Sequence, residues 1–484
     1  MSRAVYLFLV LILVCVGELA AQRSFSIEEV IQRALAQSPF AKQAETRKEN
    51  RYWQYRSFRT NYNPQLRLNG GLPGYSQSFI PVRQPDGSLV FQSVNQTNAS
   101  ANLGLLQPLH WTGGTISANT NFNLFNDLDR EFRSWNGTIL NVQLEQPLFG
   151  FNALKWARET EPLRYEESKR EFVEQLEAIS QEAADRFFGV LEAQTRQQIA
   201  SFNLANNDTI YKIEQGRYNI GTTSEDKLLQ VELQLLRSRQ DLAQARLDLE
   251  NASLALRIYL GITDSDEIAL QLPENIPPFS ISLDEALLYA KQNRAAYLAF
   301  ERRRLEAQRD VAEAKGRRFQ TSLTASYGLN NSAPVVGDLY TDPQRQQQAN
   351  ISFNVPVLDW GRNRAMMRTA TANKKLNDYI IAQEEVNFEQ EITTQVRQFE
   401  LLRLQLEITK KSDEVAQERY KVAQNRYLIG KIDITNLNIA LTEKDDAKRS
   451  YIQALRSFWT AYYNLRRLTL YDFVGRKLLY LPTE

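Results

Sequence analysis

Gln215-Gly216-Arg217-Tyr218-Asn219-Ile220-Gly221 returns as Gln424-Asn425-Arg426-Tyr427-Leu428-Ile429-Gly430, position 217 falling on 426, an offset of 209. Self-similarity at a fixed offset means that one supersecondary plan is used twice, so it has to be settled before any single segment is read. The same offset carries Gln146-Pro147-Leu148 onto Val355-Pro356-Val357, and Leu256-Arg257 onto Leu465-Arg466. Toward the start, Ser26-Ile27-Glu28-Glu29-Val30 matches Ser282-Leu283-Asp284-Glu285-Ala286 at an offset of 256. The first copy therefore holds 47 more residues than the second between its opening helix and its last strand.

Outward from the repeat, the chain divides into a first copy over 22–271, a Pro-rich linker over 272–280 and a second copy over 281–484. Ser26 and Ser282 are each followed three residues later by Glu, a capping-box spacing that marks two helix starts. The linker, with Pro273, Pro277 and Pro278, is incompatible with a continuous helix.

Thr138 to Glu145 alternates Leu140, Val142 and Leu144 with Asn141, Gln143 and Glu145, and Asn350 to Val357 repeats the pattern with Ile351, Phe353 and Val355. Period-2 alternation gives a strand one apolar and one wet face. Similar runs place strands at about 64–73, 99–109, 115–125, 137–148, 320–330 and 349–358. An ordinary half-buried antiparallel sheet and a lipid-facing barrel wall both fit this alternation. Four to six strands cannot close a barrel alone, because the smallest membrane barrels have about 8.

The remainder reads as long helices at about 161–218, 224–260, 362–429 and 433–470. At 1.5 Å per residue the outgoing pair would extend about 85 to 100 Å. Leu228, Leu235, Leu242, Leu249 and Leu256 recur every seventh residue with Val231, Ser238, Ala245, Ala252 and Tyr259 interleaved, and Ala440, Ala447, Ala454 and Ala461 form a similar row. Seven-residue stripes specify coiled-coil packing, with close approach along the small-residue row. Gly221 and Gly430 suit helix ends, and Ser224 and Asp433 suit caps of the returning helices, so two short hairpin tips are expected far from the strands.

Composition excludes several function classes. A net charge of +1 leaves no footprint for nucleic acid. Met1-Ser2-Arg3, the apolar run from Ala4 to Gly17 and small residues before Gln22 read as a signal peptide over 1–21, too short for a membrane anchor. The one cysteine, Cys15, lies within it, so an exported mature chain would have no disulfide. The one histidine, His110, sits at an expected strand end with no nucleophile motif beside it, and no phosphate-binding Gly loop follows a strand. No catalytic, cofactor or metal residues are assigned, and the chain is not expected to be an enzyme.

The duplicated order, the two Arg-Tyr-x-x-Gly tips and the strand exits Gln146-Pro147-Leu148 and Val355-Pro356-Val357 resemble the TolC family of outer-membrane efflux proteins, in a Bacteroidetes-like version. That resemblance implies a fold that is mainly α with membrane β-strands. It implies a homotrimer whose pooled strands form an outer-membrane barrel continuous with a periplasmic α-helical barrel. The implied function is the exit channel of a tripartite efflux or type I secretion system, gated at the hairpin tips. The implied partners are a periplasmic adaptor, an inner-membrane transporter and outer-membrane lipid. Carried onto this chain, the tip and adaptor-contact residues are Arg217, Tyr218, Gly221, Ser224 and Asp226, with Arg426, Tyr427, Gly430 and Asp433 in the second tip. Many members carry an acidic residue six positions after each tip Gly, whereas here Lys227 and Asn436 stand there. The usual four strands per subunit would be exceeded if the extra residues add a hairpin. The alternative is a periplasmic coiled-coil scaffold or adaptor without a pore.

Overall fold

The computed structural model describes residues 24–262, 269–273 and 279–481. The expected signal segment 1–21, with Cys15, and residues 274–278 of the Pro-rich linker lie outside the described residues. The chain forms two compact units, one built from residues up to 49 with 168–297 and 385–484, the other from 50–167 and 298–384. Each unit draws on both sequence copies, so the repeats are not folding domains. The copies meet in the sheet, where the last strand of the first pairs with the first strand of the second.

Eight helices are described: α1 (Ile27–Gln37), α2 (Pro39–Thr60), α3 (Ala153–Asn219), α4 (Glu225–Leu260), α5 (Leu283–Asn293), α6 (Ala295–Gly316), α7 (Arg362–Leu428) and α8 (Ile434–Thr469). At α1 the capping box closes in both directions, Glu29 N–H donating to Ser26 Oγ (3.2 Å) and Ser26 N–H to Glu29 Oε2 (2.9 Å). Ser282 holds the equivalent N-cap position of α5 without a side-chain bond.

α3 starts earlier than the expected 161 and carries Pro162 inside it. Its start signal is Asn152, whose Oδ1 accepts from Lys155 N–H (3.0 Å). Pro162 removes one rung of the helix ladder, and the salt bridges of Arg164 to Glu161 (2.7 Å) and to Glu306 (2.6 Å) brace that turn.

In the helical unit the heptad stripe of α4 faces inward: Val231, Leu235, Ser238, Leu242, Ala245, Leu256 and Tyr259 are buried. The main core gathers Phe187 and Phe188 of α3, Phe399 of α7, and Phe458, Trp459, Tyr462 and Tyr463 of α8. Beside it Arg466 donates to Glu177 (2.9 Å) and lies 3.6 Å from Asp472, which also accepts from Tyr462 OH (2.7 Å) and the N–H groups of Val474 and Gly475. Burial holds the Glu177 carboxyl above its ordinary value despite Arg466. Asp472 is held below its ordinary value, because these hydrogen bonds and the Arg466 charge together outweigh its burial.

The second unit holds one six-stranded antiparallel sheet, β1 (Gln65–Arg83), β2 (Leu89–Leu109), β3 (Gly114–Asp127), β4 (Phe132–Leu148), β5 (Gln320–Ala333) and β6 (Gln344–Asn354), ordered as numbered. The 47 extra residues thus enter the same sheet as the rest. β4 and β5 join the two copies in register, Val142 opposite Tyr327 and Leu144 opposite Ala325. β1 and β2 run well past the expected 64–73 and 99–109, because Ser76–Arg83 and Leu89–Asn98 pair as a ribbon whose Gln, Ser and Asn content reads locally as loop. β6 ends at Asn354, short of the expected 358, two residues before Pro356, which has no N–H to donate.

Candidate functional site

The sheet has two chemically different faces. Across the strands, Leu66 and Leu68 lie opposite Leu105 and Leu103, Leu105 opposite Ala118, Ala118 and Ile116 opposite Val142 and Leu144, and Leu323 opposite Ile351. The other face carries an unbroken polar row, Asn69, Asn102, Asn121, Thr138, Asn330 and Gln344, one residue per strand. In this unit the apolar side chains stand uncovered: Leu66 is 67%, Leu68 74% and Phe353 76% exposed. Trp111, Phe149 and Trp360, all exposed, lie just beyond the strand ends next to the helices, and Tyr75, exposed, and Trp135, half-buried, stand on the apolar face toward the opposite ends. Aromatic girdles bordering an apolar band are what a lipid-facing strand wall displays.

The hairpin tips belong to the helical unit and show why Arg-Tyr-x-x-Gly occurs twice. Gly221 N–H donates to Tyr218 O (2.9 Å) and Thr222 N–H to Arg217 O (2.8 Å); Gly430 N–H donates to Tyr427 O (2.9 Å) and Lys431 N–H to Arg426 O (2.9 Å). These are two Schellman stops, closed by Gly221 at φ 77° and Gly430 at φ 75°, in the left-handed region that disfavours a Cβ. Asp433 caps α8 by accepting from Asn436 N–H (2.9 Å), whereas Ser224 stands at the N-cap of α4 with no side-chain bond. Asn436 also donates its side-chain N–H to Asp433 (2.8 Å), so it supports the cap. Asp226 lies exposed in the first turn of α4, where its charge complements the helix dipole.

The tip side chains are not equivalent between copies. Tyr427 is buried, while its counterpart Tyr218 is 41% exposed. Tyr427 OH donates to Glu214 Oε1 (2.9 Å), which also accepts from Arg217 Nη1 (2.6 Å), and the Arg217 guanidinium lies 5.6 Å from the Tyr427 ring centroid. Arg426, Tyr218 and Asp226 stand outside this cluster. An apolar patch of Ile210, Val231, Tyr420, Ile434, Leu437 and Leu441 packs around Tyr427. The sequence reading overlooked Glu214. At the 209 offset its counterpart is Ala423, and an acidic residue present in one copy only was the available signal.

The cluster has a defined electrostatic sense. Burial works to raise the Glu214 carboxyl, but hydrogen bonds from Tyr427, Arg217 and Thr223 and the Arg217 charge outweigh it and hold it below the ordinary value of 4.5. Burial, then the bond to Glu214, push the Tyr427 hydroxyl from 10.0 up to about 12. A depressed carboxyl contributes stability above its ordinary value that is lost as pH falls through the depressed one; a raised tyrosine contributes stability below 10.0 that is lost toward about 12. Protection of the tip amides from hydrogen exchange, taken relative to the intrinsic exchange rate at each pH, is therefore expected to be greatest between these limits and to fall beyond both. In Glu214→Gln the acid limb is expected to vanish and the alkaline limb to move down; an unchanged acid limb would show that Glu214 does not hold the tip.

Among the described residues no three His, Cys, Asp or Glu side chains are grouped to hold a metal, and no helix is long and apolar enough to cross a membrane. The His110 carbonyl accepts from Asn152 Nδ2 (2.8 Å) and its ring packs edge-on against Tyr62 and Trp111, a structural position beside the strand exit.

The same arrangement of strands and paired helices occurs in solved structures. A membrane protein from Pseudomonas aeruginosa superimposes with a TM-score of 0.65 at 18% identity, covering 92% of this chain and 93% of that one. The Campylobacter jejuni CmeC outer membrane channel gives 0.64 at 16% identity, covering 92% and 86%. The open state of the Neisseria gonorrhoeae MtrE outer membrane channel gives 0.63 at 17% identity, covering 92% and 89%. No curated protein matches the sequence. The model of the outer membrane efflux protein family matches residues 30–262 and 287–469, spanning both copies from opening helix to returning helix. With most of its length inside that match and a sheet carrying one apolar and one polar face, the chain belongs to the outer membrane efflux protein family, whose TolC-like channels share its fold.

Proposed function

We propose that three copies of this chain assemble into the outer-membrane exit duct of a tripartite efflux or type I secretion system. The observation that carries this reading is the six-stranded sheet with an exposed, mainly apolar face and outer edges at β1 and β6 that no described strand pairs. In hydrocarbon, open strand edges leave N–H and C=O groups without partners, so such a sheet is stable there only when copies close it into a barrel. The polar row then lines water and the apolar row meets acyl chains. A periplasmic scaffold has no use for this sheet: its apolar face would stand in water. An N-terminal signal over 1–21 would deliver the chain across the inner membrane.

In this reading the hairpin tips meet the periplasmic adaptor, which couples the duct to an inner-membrane transporter, and they hold the pore shut. The Glu214, Arg217 and Tyr427 cluster ties the ends of α3 and α7 together, and the rigid Schellman stops at Gly221 and Gly430 keep each tip compact. Exposed Arg426, Tyr218, Ser224 and Asp226 remain available to the adaptor, while Asp433 is engaged in its cap. The test is closed-state conductance in planar lipid bilayers. Glu214→Ala removes the shared acceptor and is expected to raise it severalfold, hydrogen bonds to a charged group contributing about 1.5–3 kcal/mol. Asp226→Ala is expected to leave it unchanged. Equal conductance in Glu214→Ala and the parent chain would remove the cluster from the gate.

A further inference from the structure

The duct reading leaves open what the extra hairpin does, and the sheet answers it. We propose that β1 and β2 are part of the wall and form its seam, β1 of one copy pairing antiparallel with β6 of the next, so that three copies close an eighteen-stranded barrel. The proposal rests on the trimeric reading above.

Every neighbouring pair in the sheet is antiparallel, so β1 and β6, at opposite edges, run in opposite directions. Identical copies placed side by side therefore join β6 to β1 as one more antiparallel pair, with no reversal at the seam. The two strands also begin and end at the same side of the sheet: Gln65 of β1 and Asn354 of β6 both lie at the end where the strands leave toward helices. Their faces agree. Following the register across the six strands, Ile351 and Phe353 share the apolar face with Leu66 and Leu68, and all four are exposed. An antiparallel seam thus joins the Leu66 and Leu68 end of one copy's apolar face to that of Ile351 and Phe353 in the next, with Gln347 and Arg345 farther along β6 on the same face.

A wall of four strands per copy would need β3 to be the edge, with the hairpin lying outside. β3 is instead paired to β2 from Gly114 to Asp127, its whole length. Leaving β2 to reach a neighbour's β6 would surrender that ladder and expose Leu103 and Leu105 without continuing the band. Closure at eighteen strands lies in the range where barrels enclose a water-filled channel. The wet lining at this level would be mainly amide: Asn69, Asn102, Asn119, Asn121 and Asn141 face it.

Site-directed crosslinking tests the seam directly. Cys15 is the chain's one cysteine, so in a Cys15→Ser background any disulfide comes from introduced pairs. A disulfide needs Cα atoms about 4.4–6.8 Å apart, so only directly opposed strands respond. Leu66→Cys or Leu68→Cys is combined with Ile351→Cys or Phe353→Cys in the full chain, purified in detergent and oxidised. At least one combination is expected to give covalent dimers and trimers on a denaturing gel. Ala118→Cys on β3 with the same β6 cysteines is expected to give none. Trimers crosslinked through β3 and β6, or trimers crosslinked through neither pair, overturn the eighteen-stranded seam and leave the duct intact. A soluble monomer without either crosslink overturns both.

Discussion

Val142→Arg is expected to destabilise the assembled protein by about 2–4 kcal/mol per copy, the cost of a cation on the lipid face of a strand near the bilayer midplane. Gln143→Arg, one residue along β4, is expected to change stability by about 0.5 kcal/mol or less, as polar substitutions on a wet surface usually do. The contrast comes from strand geometry alone: successive side chains point to opposite faces, Val142 standing beside Ala118 and Tyr327 on the apolar row and Gln143 beside Ser117 and Ser326 on the polar one. The measurement is the heat needed to dissociate detergent-purified oligomers on a denaturing gel. Equal dissociation temperatures for the two variants would show that the apolar face does not meet lipid, and the duct reading would fall with it.

The second large effect lies in the helical unit. Arg466→Met is expected to cost about 3–5 kcal/mol, the usual consequence of removing one partner from a buried ionic cluster. The arginine holds two carboxylates: Glu177, already pushed toward its neutral form by burial, and Asp472, fixed by Tyr462 and two backbone N–H groups. Without the guanidinium both negative charges remain in a poorly solvated pocket. Adding Glu177→Gln to Arg466→Met is expected to recover part of the loss, because it removes one of the two charges left behind while Asp472 keeps its bonds from Tyr462 and two backbone N–H groups. Arg449→Met, whose partner Asp446 is exposed on the same helix, is expected to cost about 0–1 kcal/mol. Thermal unfolding followed by the helical circular dichroism signal distinguishes them. A melting point for Arg466→Met equal to that of Arg449→Met would mean that the cluster is solvated.

Much of this protein is local physics and therefore legible in its residues. Leu140, Val142 and Leu144 alternate because a strand turns every second side chain to one side, and that period gave the strand and its wet face together. The leucine row from Leu228 to Leu256 marked the buried side of α4 for the same kind of reason, a period matched to packing. Arg-Tyr-x-x-Gly was recognisable twice because a helix stop needs a left-handed residue at a fixed place. The structure adds that the stop uses the backbone carbonyls of these Arg and Tyr residues, which leaves their side chains free to differ.

What the residues could not settle is which face meets which. Gly70-Gly71-Leu72-Pro73 and the Gln- and Ser-rich run after it read as a strand end, because their pairing partners lie on a strand that only the folded sheet brings alongside, with an irregularity between Gly71 and Gly74 absorbing the mismatch. The helix expected from about 161 begins at Ala153, capped by Asn152, and carries Pro162 within it. Tyr218 and Tyr427 are indistinguishable by motif, yet one is exposed and the other buried on Glu214.

The periods and the helix stops are written locally, each set by geometry within a few residues, and the duplication shows as the same motifs recurring in the same order. Long-range contacts alone set the two copies side by side in one sheet, joined the extra hairpin to it, and gave Glu214 to Tyr427 as its partner. Those outcomes are set by contacts between residues tens to hundreds of positions apart, whose closing and packing no local window contains.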